Sequence, residues 1–123
     1  MTKRVWIIED DPDIGDIICI LLTEDGHEVT LFSDAKTFKD ALEIETTKPD
    51  LFLMDVMLPD GNGVDLCEAT KGDTNLGSIP VLIMSAHAGF AAVKQLCSAD
   101  DFISKPFDID ELSAKVKKLV NKA

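Results

Sequence analysis

A chain of 123 residues with 46% hydrophobic content can build one ordinary core and leaves no room for a second domain. Twelve Lys and Arg against 23 Asp and Glu give a net charge of −11, which argues against a nucleic-acid surface or an anionic membrane as partner and suits bound cations better. Cys19, Cys67 and Cys97 form no C-x-x-C pair and no zinc spacing with histidine, so they read as reduced core thiols.

The first residues, Met1 to Trp6, carry two basic side chains but only a short apolar run before Glu9. That is neither a signal peptide nor a membrane span, and the expected location is cytoplasmic. Val5 to Ile8 is β-branched and aromatic and reads as a central strand, ended by Glu9, Asp10 and Asp11. Pro12 suits the first turn of a helix with Asp10 or Asp11 as its cap, and Ile14, Ile17, Ile18, Leu21 and Leu22 form one stripe up to a stop at Gly26.

Residues 27–32 read as a second strand, followed by a helix capped at Ser33 or Asp34 that turns Ala35, Phe38, Ala41 and Leu42 inward. Leu51 to Met54 is an unbroken apolar run, as in a strand buried on both faces, and Asp55 ends it. Pro59, Asp60, Gly61, Asn62 and Gly63 make a loop before a third helix over residues 64–71, and residues 73–78 are a polar loop. Val81 to Met84 is the fourth strand and runs into Ser85. A fourth helix, over 88–98, has little apolar area to bury. Phe102 to Ser104 is a short fifth strand before Lys105, and Asp108 with Glu111 forms a capping box for a last helix carrying Ile109, Leu112, Val116, Leu119 and Val120 inward.

Five strands alternating with five helices predict an α/β fold with a parallel sheet covered on both faces. In such sheets the site lies at the carboxyl ends of the strands, where strand order reverses. The polar residues there are Asp10, Asp11, Asp55, Ser85 and Lys105. Clustered carboxylates repel one another unless a cation or proton sits among them, and a hard divalent ion such as Mg²⁺ is the natural neutraliser. A carboxylate beside such an ion and a lysine could accept a phosphoryl group. Asp10 and Asp11 would serve equally well as helix caps, and Ser85 or Lys105 alone would be an ordinary loop hydroxyl or surface lysine.

Four motifs occur together in order: Glu9-Asp10-Asp11, the run from Met54 through Asp55 to Gly63, Ile83-Met84-Ser85-Ala86, and Asp100-Asp101-Phe102-Ile103-Ser104-Lys105-Pro106-Phe107. In these the chain resembles, over essentially its whole length, a receiver domain of the bacterial two-component response regulators. Ser98 and Asn62 depart from the commonest residues of that pattern. The resemblance implies a flavodoxin-like sheet of order 2-1-3-4-5 and one receiver domain over residues 1–123. It further implies Asp55 as phosphoacceptor, Mg²⁺ held by Asp10, Asp11, Asp55 and the Met57 carbonyl, Ser85 as switch hydroxyl, Lys105 as phosphate-pairing cation and Phe102 as an aromatic that turns inward on activation.

The implied role is regulatory: the domain takes a phosphoryl group from a phosphohistidine of a histidine kinase or phosphotransfer protein, catalysing its own modification and slow hydrolysis with Mg²⁺. Modification would alter the face made by the fourth helix, fifth strand and fifth helix. The implied partners are a downstream protein or fused output domain and, on phosphorylation, a second copy of the chain. An aspartyl-nucleophile phosphatase would instead show Asp-x-Asp where this chain has Asp55-Val56-Met57, and an FMN binder would not place Glu9-Asp10-Asp11 in its phosphate loop.

Overall fold

The computed structural model describes residues 2–45, 47–86 and 98–121. The helix expected over 88–98 lies, apart from Ser98, outside the described residues. Five strands, β1 (Arg4–Ile8), β2 (Glu28–Phe32), β3 (Leu51–Asp55), β6 (Val81–Ala86) and β7 (Asp101–Lys105), form one sheet in the order β2-β1-β3-β6-β7, with every pairing parallel. This is the expected flavodoxin-like order once a small hairpin, β4 (Met57–Leu58) with β5 (Gly61–Asn62), is counted separately.

Alternation along the strands divides the core in two. Val5, Ile7, Leu51, Leu53, Leu82, Met84 and Ile103 face the helices α1 (Pro12–Glu24) and α4 (Ile109–Val120), where Ile18, Leu22, Leu112 and Val116 are fully buried. Trp6, Ile8, Phe52, Met54, Val81 and Ile83 face α2 (Ala35–Ile44) and α3 (Gly63–Gly72), and Trp6, Phe38 and Phe52 stack edge to face there. β3 is buried along its whole length because strands pair on both edges and helices cover both faces.

Helix α1 begins as its sequence predicts: Asp11 is the N-cap, accepting the N–H groups of Asp13 and Ile14, and Pro12 opens the first turn. It ends at Gly26, whose φ of +93° lets the Gly26 and His27 N–H groups return to Thr23 and Leu22. Its buried face differs from the expected stripe. The departure is at one position: Ile18 and Leu22 are buried and Ile14 and Leu21 pack against the same core, but Ile17 is 52% exposed, and the buried Gly15 faces Leu31 of β2. Ile109, expected inward on the last helix, is likewise exposed, and α4 buries Leu112, Val116, Leu119 and Val120.

Candidate functional site

The chain leaves β1 towards β2 on one side of the sheet, while β3 lies on the other side of β1. The carboxyl ends of β1 and β3 therefore meet where strand order reverses, the crevice in which open α/β sheets place their sites. Glu9 and Asp10 directly follow β1 and Asp55 ends β3, and one carboxylate oxygen from each lies within 4.8 Å of the others. Glu9 is 1% exposed and Asp55 5%, whereas Asp10 faces solvent.

Lys105, at the end of β7, reaches across to this pair: its Nζ donates to Glu9 Oε1 and, at 3.0 Å, to Asp55 Oδ2. Burial, and then the hydrogen bond with Asp55, push the Glu9 carboxyl up to about 8, against the opposing pull of Lys105. Burial acts to lower the Lys105 ammonium, but the hydrogen bonds to Glu9 and Asp55 outweigh it and hold the group above its ordinary value. Glu9 Oε2 is buried with no hydrogen-bond partner. Such an orphaned carboxylate oxygen, beside two further acids, is the ligand set a hard cation takes, so these residues fit Mg²⁺.

Ser85 is 2% exposed on β6, and its Oγ donates to the Ala86 carbonyl at 3.2 Å. Asp55 pairs in register with Met84 and Ile83 with Phe102, so Ser85 and Phe102 share the sheet face of Ile83, and Asp55 and Lys105 the opposite one. Phe102 is half-buried against the core beneath α2 and α3. Met57 is exposed on the loop after Asp55.

The expected acidic trio is shifted by one residue. Among the described residues the converging carboxylates are Glu9, Asp10 and Asp55; Asp11 lies outside that group, because a consecutive acid at this point is drawn to the free N–H groups that open α1. Strand alternation carries the missed signal: Glu9 continues the parity of Val5 and Ile7, the face that Leu51, Leu53 and Asp55 also share.

The loop after Asp55 is closed at its base. The Gly63 N–H donates to the Val56 carbonyl at 2.9 Å, and a Cβ at Gly63 would overlap the Asp55 carbonyl oxygen. At its tip Asp60 accepts the Ala35 and Lys36 N–H groups, at 2.8 and 3.0 Å.

The chain matches the family described as response regulator receiver domain over residues 5–117, and it belongs to that family. The DNA-binding dual master transcriptional regulator RpaA of Synechocystis is 34% identical over 97% of this chain and 49% of its own length. The DNA-binding response regulator MtrA of Mycolicibacterium smegmatis is 30% identical over 95% of this chain and 50% of its own. The chain thus spans about half the length of the curated relatives it matches. Among solved structures, the receiver domain of a histidine kinase from Syntrophus aciditrophicus superposes with a TM-score of 0.90 at 28% identity, covering 99% of this chain and 95% of that one. A CheY-like receiver domain from Methanospirillum hungatei gives 0.86 at 26% identity, covering 99% and 96%. The chain is therefore a regulatory domain of phosphorylation-dependent signalling. No described helix is long and apolar enough to cross a membrane.

Proposed function

We propose that Asp55 accepts a phosphoryl group from a phosphohistidine on a histidine kinase or phosphotransfer protein, and that the modified domain presents an altered surface to a downstream protein or output domain. The observation that carries this is the convergence of Glu9, Asp10 and Asp55 within 4.8 Å, with Lys105 donating to two of the three. In the transfer the P–N bond of the donor breaks and a bond forms between phosphorus and an Asp55 carboxylate oxygen. Lys105, which already donates to Asp55, can pair with the oxygens that gain charge, and Ser85, one residue beyond the register partner of Asp55 on β6, supplies a hydroxyl that would turn from Ala86 to donate to the phosphate.

Glu9, Asp10 and Asp55, with the Met57 carbonyl, are the groups that would hold Mg²⁺, which when bound supplies positive charge beside the transferring group. Asp11 acts in this reading as the cap that fixes the start of α1 behind the site. Hydrolysis of the acyl phosphate resets the domain, so the chain takes part in catalysing its own modification and its reversal. The surface read by the partner is the face of β7 and α4 together with the helix expected from the sequence over 88–98, and it is the surface through which two phosphorylated copies would pair. Residues 1–123 act as one receiver unit in this scheme.

Acetyl phosphate with Mg²⁺ should label the chain once, giving an acyl phosphate stable in acid and lost in base. The label should be absent in Asp55→Asn. Label that persists in that variant, or that maps to Ser85 or a histidine, overturns the assignment.

A further inference from the structure

We infer that Asp60 is a positioning residue of the cation site, strapping the loop that carries Met57 to the start of α2; this rests on the reading of the site given above. An α-helix opens with N–H groups that have no partner within the helix. In α2 Asp34, the residue before the helix, takes the Thr37 N–H at 2.8 Å in the ordinary way of an N-cap. The two earlier donors, Ala35 and Lys36, go instead to the two carboxylate oxygens of Asp60, 25 and 24 residues further along the chain. The positive end of the helix dipole favours both carboxylates, so the strap is charge-assisted.

What the strap holds follows from the hairpin. Asp60 lies in the two-residue turn between β4 and β5, and β4 begins at Met57, two residues after Asp55. A hairpin of two residues per strand is not stable by itself in water. This one is fixed at its base by the Gly63 N–H to Val56 carbonyl bond and at its tip by Asp60. Release of the tip leaves the Met57 peptide free to turn while Asp55, buried on β3, stays in place. Asp60 acts through the backbone it anchors and touches neither Glu9 nor Lys105 among the described contacts.

The two caps of α2 provide their own control. Asp60→Ala and Asp34→Ala each remove a carboxylate from the same helix end, but only the first is joined to the loop. Mg²⁺ titrations of the full chain, followed by amide shifts, should show about tenfold weaker binding in Asp60→Ala, in line with the loss of outer supports at other metal sites. Asp34→Ala should bind Mg²⁺ as wild type does while lowering the melting temperature at least as much. Without metal, the Ala35 and Lys36 amides should exchange faster in Asp60→Ala only. Asp60→Asn, which keeps one acceptor oxygen for two donors, should fall between. Equal Mg²⁺ affinity in Asp60→Ala and wild type, or an equal loss in both alanine variants, overturns the strap. A wild-type chain that binds no Mg²⁺ at Glu9, Asp10 and Asp55 overturns the reading of the site itself, and the strap's role with it.

Discussion

Moving the Glu9 carboxyl from water to a strand end where it is 1% exposed disfavours its charged form, and the facing Asp55 disfavours it further. Its ordinary value is 4.5 and its folded value about 8, so between these limits the folded domain keeps a proton that the unfolded chain has released. Stability from this group is then fully present below about pH 4.5 and is lost as pH rises through about 8. Glu9→Gln cannot ionise, yet its side-chain oxygen can still accept from Lys105. In metal-free buffer with a chelator, the melting temperature of Glu9→Gln relative to wild type should therefore rise from pH 5 to about pH 8 and level off by pH 9. A difference that stays constant across that range would show that Glu9 titrates normally.

Elements were legible where physics leaves a mark on residue type. The apolar run at Leu51–Met54 marks a strand buried on both faces, and Asp11, Pro12 and Gly26 mark both ends of α1. The face that α1 buries was legible in Ile14, Ile18, Leu21 and Leu22, whereas the exposure of Ile17 was not, since apolar residues surround most of the helix and the buried Gly15 contributes no hydrophobic signal. Two-residue strands such as β4 and β5 are too short to show a period, and the reach of Asp60 to α2 depends on the fold. Of three consecutive acids, composition does not say which one caps the helix and which enter the site; the parity of β1 singles out only Glu9, and the division between Asp10 and Asp11 is set by the turn into α1. The third helix offers a test of how tightly an element must approach Asp55. Gly63→Ala places a methyl group on the Asp55 carbonyl, a backbone atom that cannot swing aside, and should cost about 1–3 kcal/mol in urea unfolding. Gly72→Ala, at the other end of α3 with no atom within 4 Å of the added Cβ, should be neutral or stabilising. Equal effects from the two substitutions would show that the loop yields.

At the scale of the whole molecule the sheet separates the chemistry from the path by which it would be reported. Asp55, Glu9 and Lys105 gather on the α1 and α4 side, while Ser85 and Phe102 share the other face. Phosphate on Asp55 replaces the single carboxylate charge with nearly two negative charges carried on three phosphoryl oxygens at a packed strand end. The Ser85 hydroxyl, which donates to the Ala86 carbonyl at 3.2 Å, would exchange that partner at little cost. In the proposed switch its movement would open space beside Ile83, and Phe102, paired with Ile83 on β7, is the ring that would enter it. β7 in turn is tied to α4 by the Asp101–Lys115 ion pair at 3.1 Å, so a shift of the strand reaches the helix. Amide shifts with and without a beryllofluoride mimic should then extend in wild type from the loop after Asp55 through residues 85–86 and 101–107 into α4. Ser85→Ala should still accept label at Asp55 but confine the shifts to the loop, whereas Lys105→Ala should reduce both the spread of shifts and, to a lesser degree, the labelling. Full propagation in Ser85→Ala would mean that the hydroxyl is not the relay and that the signal leaves Asp55 by the Lys105 contact.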